Sequence, residues 1–200
     1  MKKLIVAAAL LLSFTANATL ITSKSFTGNF DNDESRYYIQ FDVTADNSTV
    51  DFTSWGYAGG VNAAGTVIAD GGFDSQLFIF DSANTLLDSD DDSSTVVSAS
   101  SNLSYDALIS LTLDTGRYFA VLTQYNSDYI SGDLLTGNWQ PAGLTNFNGR
   151  TSFFAFDISG ENLANIGGIG HDVTPVSEPG TLALFALTAF GFAARRKLAK

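Results

Sequence analysis

The sequence predicts an all-β fold, a jelly-roll-like β-sandwich, on three observations. Residues 36–44 alternate strictly: Tyr37, Ile39, Phe41 and Val43 fall on one side, Tyr38, Gln40, Asp42 and Thr44 on the other. That period of two belongs to a strand with distinct faces. Other short apolar runs recur between clusters of Gly, Asp, Asn and Ser, the residues that favour turns. Between the two ends of the chain, no segment carries the spacing of an ordinary amphipathic helix. Several short strands in turn-rich sequence mean a sandwich or jelly roll.

Taken in order, residues 25–30 and 49–55 are weaker strand candidates on either side of the 36–44 strand. Residues 77–80 form a short apolar run between Gly71-Gly72 and Asp81-Ser82, as a buried strand would. Ile109, Leu111 and Leu113 alternate with polar partners, and Asp114-Thr115-Gly116 then leads into the apolar run 118–122. Two runs divided by a glycine-containing turn predict a hairpin. Residues 153–158 complete the set. Two long polar stretches, 56–72 and 124–149, are expected as loops, and segments of that length are commonly functional or mobile.

The ends fix the compartment. Lys2 and Lys3 precede an apolar run over 4–12 and then Ala16-Asn17-Ala18. This is the three-part pattern of a secretory signal peptide, with cleavage expected after Ala18. At the other end, residues 182–194 are apolar except for Thr188, and Arg195, Arg196 and Lys197 follow. Thirteen helical residues reach roughly 20 Å against a ~30 Å hydrocarbon core, so the span is short. The cations resist translocation and hold the tail on the cytoplasmic side, which agrees with export of everything before it. The expected division is signal peptide 1–18, β-sandwich 19–164, flexible linker 165–176 and C-terminal segment 177–200.

Ser177-Glu178-Pro179, the apolar run and the basic cluster together resemble the PEP-CTERM sorting signal. The Glu-Pro pair and the three-part order match that pattern, while Ser177 stands where proline is commoner. The resemblance implies a short transmembrane helix and recognition by an exosortase, a membrane protease. It further implies transient anchoring and then a cell-surface or extracellular destination in an organism that makes exopolysaccharide. A second likeness covers residues 26–124. Gly71 to Asp81, Leu86-Leu87, Asp90 to Asp92 and Thr115 to Phe119 resemble the bacterial pre-peptidase C-terminal type of domain. It implies a jelly-roll-like sandwich, with calcium in some relatives and no catalytic residue.

Composition narrows the chemistry. Cysteine is absent, which excludes disulfides and thiolate metal sites. Residues 19–178 hold Lys24, Arg36, Arg117 and Arg150 against all 21 acidic residues, a net charge of −17. Such a surface repels nucleic acid and anionic lipid. The single histidine, His171, falls in the expected linker, where neither a serine triad nor a zinc site finds a scaffold. No pair of acids stands out for glycoside hydrolysis, so a non-catalytic protein is expected.

Two candidate sites remain. Asp88, Asp90 and Asp92 have EF-hand spacing, but Ser93 and Ala99 replace the glycine and the bidentate glutamate that such a loop needs. A different calcium site is the metal candidate, with Asp74 and Asp81 at strand ends and Asp90, Asp91 and Asp92 in the neighbouring loop. A solvated acidic loop is the alternative. For glycans, Trp139 and Tyr125 are the candidate stacking rings in the 124–149 stretch. The expected role is a surface or matrix protein associated with exopolysaccharide, against a carbohydrate-binding module as the competing class.

Overall fold

The alternation in the second predicted strand holds from Ile39 to Val43 in the computed structural model, which describes residues 21–169. Ile39, Phe41 and Val43 are buried, while Gln40 and Asp42 between them are half-exposed. The strands are β1 (Ile21–Asn29), β2 (Tyr37–Val43), β3 (Ser48–Ser54), β4 (Gly60–Val61), β5 (Val67–Ile68) and β6 (Ser75–Asp81). There follow β7 (Leu86–Asp90), β8 (Leu108–Leu113), β9 (Gly116–Gln124), β10 (Tyr129–Ser131), β11 (Asn138–Trp139) and β12 (Phe153–Gly168). The signal peptide and the 177–200 segment lie outside the described residues.

Eight strands form one hydrogen-bonded ladder in the order β7-β6-β9-β2-β12-β3-β8, with β1 also on β12. The ladder folds over on itself because β12, 16 residues long, serves both halves. Its first half pairs with β1 and β3, and its second half, from Leu163, pairs with β2. Gly160, Asn162 and Asn165 adopt positive φ at the bend, and a register shift lies between Ala164 and Gly167. One layer is therefore β8-β3-β12-β1 and the other β12-β2-β9-β6-β7. Their inner faces meet in a core that joins Phe26, Phe52, Ile109 and Phe156 to Ile39, Phe41, Leu77 and Leu122. Phe41 of β2 and Phe52 of β3, on strands that do not pair, bring their rings within 5.5 Å.

Two expectations are corrected. Residues 109–113 and 117–123 do not form a hairpin. β8 pairs with β3, and β9 pairs with β2 and β6, so the turn between them crosses from one layer to the other. Both strands carry inward-facing apolar residues, and burying Ile109 and Leu113 opposite Ala120 and Leu122 needs them in opposing layers. The β2–β3 connection makes the same crossing, and the two arches cap each other. The Asn47 amide donates to Asp114 Oδ1 (3.2 Å) and the Thr115 amide to Asp46 Oδ1 (2.9 Å). The sandwich also does not end at 164. Gly167 and Gly168 pair with Gln40 and Ile39, and the Ile169 amide donates to Tyr38 O at 2.9 Å. Asn165 and the glycines read as a linker, yet the bend in β12 requires residues that tolerate such backbone geometry.

The two long polar stretches are folded covers. Residues 56–72 carry the β4–β5 hairpin and lie on the outside of the β1-containing layer, where Asp157 accepts from the Ala63 amide and the Trp55 indole, both at 2.7 Å. Residues 125–149 carry the β10–β11 hairpin and cover the outer face of β6 and β9. That face is apolar: Tyr38, Phe78, Phe80 and Val121 form a second buried cluster under Leu134.

Candidate functional site

Strand pairing brings distant acids together at one end of the β6–β9 layer. Ser75 pairs with Gln124, so Asp74 and Tyr125, one residue beyond each, are neighbours, and the Tyr125 amide donates to Asp74 O at 2.9 Å. Leu77 pairs with Asp90, which delivers Asp91 and Asp92 to the same end. Here Asp74, Asp91, Asp92, Tyr105, Tyr125 and Asn148 line a cavity of about 340 Å³. Asn148 is aimed by an unusual turn in which Asn146, Phe147 and Asn148 have φ of 51°, 51° and 52°. The Asp33 carboxylate pins this turn by accepting the Asn146 and Phe147 amides at 3.1 and 2.7 Å, and Phe147 packs on Phe73 with ring centroids 5.4 Å apart.

The field in the cavity is strongly negative. Burial, then the charges of Asp91, Asp92 and Asp106, push the Asp74 carboxyl up to about 7, with Arg150 opposing them. Burial and then Asp92 and Asp90 raise Asp91 as well. Asp106 behind the cavity is fully buried. Burial raises it, against hydrogen bonds from the Ala58 amide (2.7 Å), the Tyr57 amide (3.1 Å) and Ser54 Oγ (2.9 Å). The nearby cation, Arg150, is spoken for. It donates to the carbonyls of Gly72 (2.6 Å) and Tyr57 (2.7 Å), pairs with Asp70 at 2.9 Å, and lies 3.7 Å from the centre of the Tyr57 ring. Although burial acts to raise Asp70, the Ser100 amide, the Ser98 and Ser100 hydroxyls and Arg150 hold it well below the usual carboxylate range.

The five candidate calcium ligands are not gathered into one site. Asp81 lies at the far end of β6, a strand length of about 20 Å from Asp74. There it caps a turn by accepting the Ala83 and Thr85 amides, both at 2.8 Å. Asp90 is occupied by the amides of Ser93 (3.0 Å) and Leu108 (2.8 Å). Among the described residues, no three acid or imidazole side chains are grouped to hold a metal ion. Asp74 and Asp81 stand at the two ends of β6 as the sequence indicated, while Asp90, expected in the loop, is the last residue of β7.

The two glycan candidates separate. Trp139 is half-buried and edge-packed against Phe78 (5.4 Å) and Tyr129 (5.1 Å), with the Arg36 guanidinium 4.9 Å from its ring centre. Its indole N–H donates to Leu134 O at 3.3 Å. Trp139 thus packs as a plug over the outer cluster, with the Arg36 guanidinium over its ring. Tyr125 is 44% exposed at the cavity mouth. Tyr105 and Asn148 were not singled out from sequence. Nothing in the serine-rich run around Tyr105 marks it, whereas Asn146 to Gly149 carried a turn signature that pointed to Asn148.

An all-β domain with an acid-lined loop end, followed by a sorting tail, is the class these features define. The tail is specific: residues 175–197 match the family model for the PEP-CTERM protein-sorting motif. That motif, which includes Ser177, Glu178, Pro179, Arg195, Arg196 and Lys197, lies outside the described residues, as do Ala16 and Ala18 of the expected signal peptide. It implies export, recognition by an exosortase and anchoring at the membrane before release. Among the described residues no helix is long and apolar enough to cross a membrane, and the 182–194 run lies beyond them. No curated protein matches the chain. The likeness of residues 26–124 to the pre-peptidase C-terminal type is not confirmed by any match.

Proposed function

We propose that the chain is a non-catalytic component of the cell surface or extracellular matrix, associated with the exopolysaccharide of its producer. The observation that carries this reading is the sorting motif at 175–197 behind an acidic β-sandwich. The use of the carboxylates supports it. Asp33, Asp46, Asp81, Asp106 and Asp133 each accept backbone amides and hold loops in place. Catalytic acids instead point to where a substrate sits.

Mass spectrometry of the protein recovered from its native host tests the sorting step. The expected species begins at Thr19 and ends close to the Glu178–Pro179 pair. Recovery of a surface-located form that keeps residues 182–197 would refute processing at that motif.

One observation favours a glycan-binding module as the second reading: the exposed Tyr125 ring stands beside Tyr105 and Asn148 at a cavity with open carboxylates. Aromatic faces flanked by polar acceptors suit sugars. Retention of the wild-type protein on host exopolysaccharide, with at least a ten-fold loss for Tyr125→Ala, is the outcome this reading requires. No retention of wild type removes it and leaves the sorting result untouched.

A further inference from the structure

Asp74 reaches the cavity from the residue before β6, whereas Asp91 and Asp92 reach it from the segment leaving β7. Like charges sharing a small space oppose each other's ionisation. The charged groups facing Asp74 are Asp91 and Asp92 after β7, Asp106 before β8 and Arg150 before β12. Three of these four repel an ionised Asp74. The fourth is already committed to Asp70 and to two backbone carbonyls. No hydrogen bond reaches the Asp74 carboxylate among the described residues, in contrast to Asp70, Asp90 and Asp106.

The segment that carries Asp91 and Asp92 is lightly held. Between Asp90 and Leu108 there is no strand, and its internal backbone bonds are few, such as Ser94 to Asp106 and Ser98 to Leu103. Asp106 and Ala107 are buried and bonded to Ser54, Tyr57 and Ala58. Up to Tyr105, however, the segment's hydrogen bonds to the rest run to side chains: Ser98 and Ser100 donate to Asp70, and Ser101 Oγ accepts from the Tyr57 hydroxyl. Segments tied in this way open at lower free-energy cost than ladder strands.

We propose that this loop end is a proton-operated latch: while Asp74 keeps its proton beside Asp91 and Asp92, the 91–105 segment lies closed on the cavity, and loss of that proton releases it. Asp74 is the group that titrates in the relevant range, its carboxyl raised to about 7 by burial and by the neighbouring acids. A carboxyl raised in the fold keeps its proton where the unfolded chain has lost it. The folded state then binds more protons between about pH 4 and pH 7, so stability falls as pH rises through that window and levels off above it. Asp70 and Asp42 are held low, Asp42 mainly by the Arg117 hydrogen bond, so their contributions are lost only as the solution becomes strongly acid. The two sets of groups act at opposite ends of the pH scale.

Amide hydrogen exchange on the full exported chain in neutral detergent, corrected for the intrinsic pH dependence of exchange, tests the latch. Between pH 5.5 and pH 8.5 the protection of residues 91–105 is expected to fall at least ten-fold, while β2 and β9 keep theirs. Asp74→Asn should retain most of the pH 5.5 protection at pH 8.5. Glu161→Gln, which alters an exposed carboxyl on β12, should behave as wild type. Should Asp74→Asn not fold, the Asp91→Asn/Asp92→Asn pair removes the repulsion while leaving Asp74 in place, and the same retention is expected. Protection that does not change with pH overturns the latch, as does an undiminished loss in the informative variant.

Discussion

Gly160→Ala is expected to destabilise the domain by about 3 kcal/mol or more, because the substitution strains the backbone and inserts a methyl where none fits. Gly160 has φ of 156°, and a Cβ there would sit 2.3 Å from Thr49 O and 3.0 Å from Val50 Cα. Both atoms are backbone of β3, and Gly160 pairs directly with Val50, so neither can withdraw without opening the ladder. No flexible side chain is present to absorb the clash. The residue also sits where β12 leaves one layer for the other, and strain there weakens both halves together. A denaturant midpoint lowered at unchanged m-value is the expected result. A shift worth less than about 1 kcal/mol would show that the bend does not need glycine, against what its backbone geometry requires.

Trp139→Ala carries the second large effect. Full truncation of a buried aromatic costs about 3–5 kcal/mol, and because Trp139 is half-buried roughly 2–4 kcal/mol is expected. The loss goes beyond its own contacts. Without the indole, Phe78, Phe80 and Tyr129 lose their ring partner, Arg36 loses the ring beneath it, and the outer cluster opens to water. Increased binding of a hydrophobic dye at pH 7, together with the lower stability, is the signature of that exposure. Unchanged stability with lost exopolysaccharide retention would instead restore Trp139 as a stacking ring. These two outcomes separate the plug from the platform.

Legibility of the fold in the sequence differs from strand to strand. The strands with clear alternation or short apolar runs, such as β2 and β6, were legible because period-two burial is a local property. Their partners were not. The error at 109–123 arose because a glycine-containing turn is the same whether it joins paired strands or arches between layers, and only the distribution of core volume decides. The apolar pairs on both faces of 118–122 hinted at a second cover, yet nothing local indicated that Trp139 supplied it. The last part of β12 was missed because its Asn and Gly residues serve a bend, and bends and linkers draw on the same residues.

The candidate site shows the same limit. Asp74 and Asp81 were read at strand ends and Asp90 to Asp92 in the neighbouring loop, but grouping them required knowing the register of β6 against β7 and β9. A seven-residue strand separates Asp74 from Asp81, so one belongs to the cavity and the other to a distant turn. The sorting motif was the most legible part, since it is linear and needs no tertiary register.

β12 also determines how the domain responds to mechanical load. Ile21, the first of the described residues, pairs with Leu163, and the Ile169 amide bonds to Tyr38 O at their other end. While the tail remains held in the bilayer, tension on the surface protein enters along β12. Its cross-strand bonds lie perpendicular to the strand and so resist that tension in shear, several at once rather than one by one. Drag from the surroundings therefore falls on the strand with the most neighbours, and the acidic loop end is spared the force.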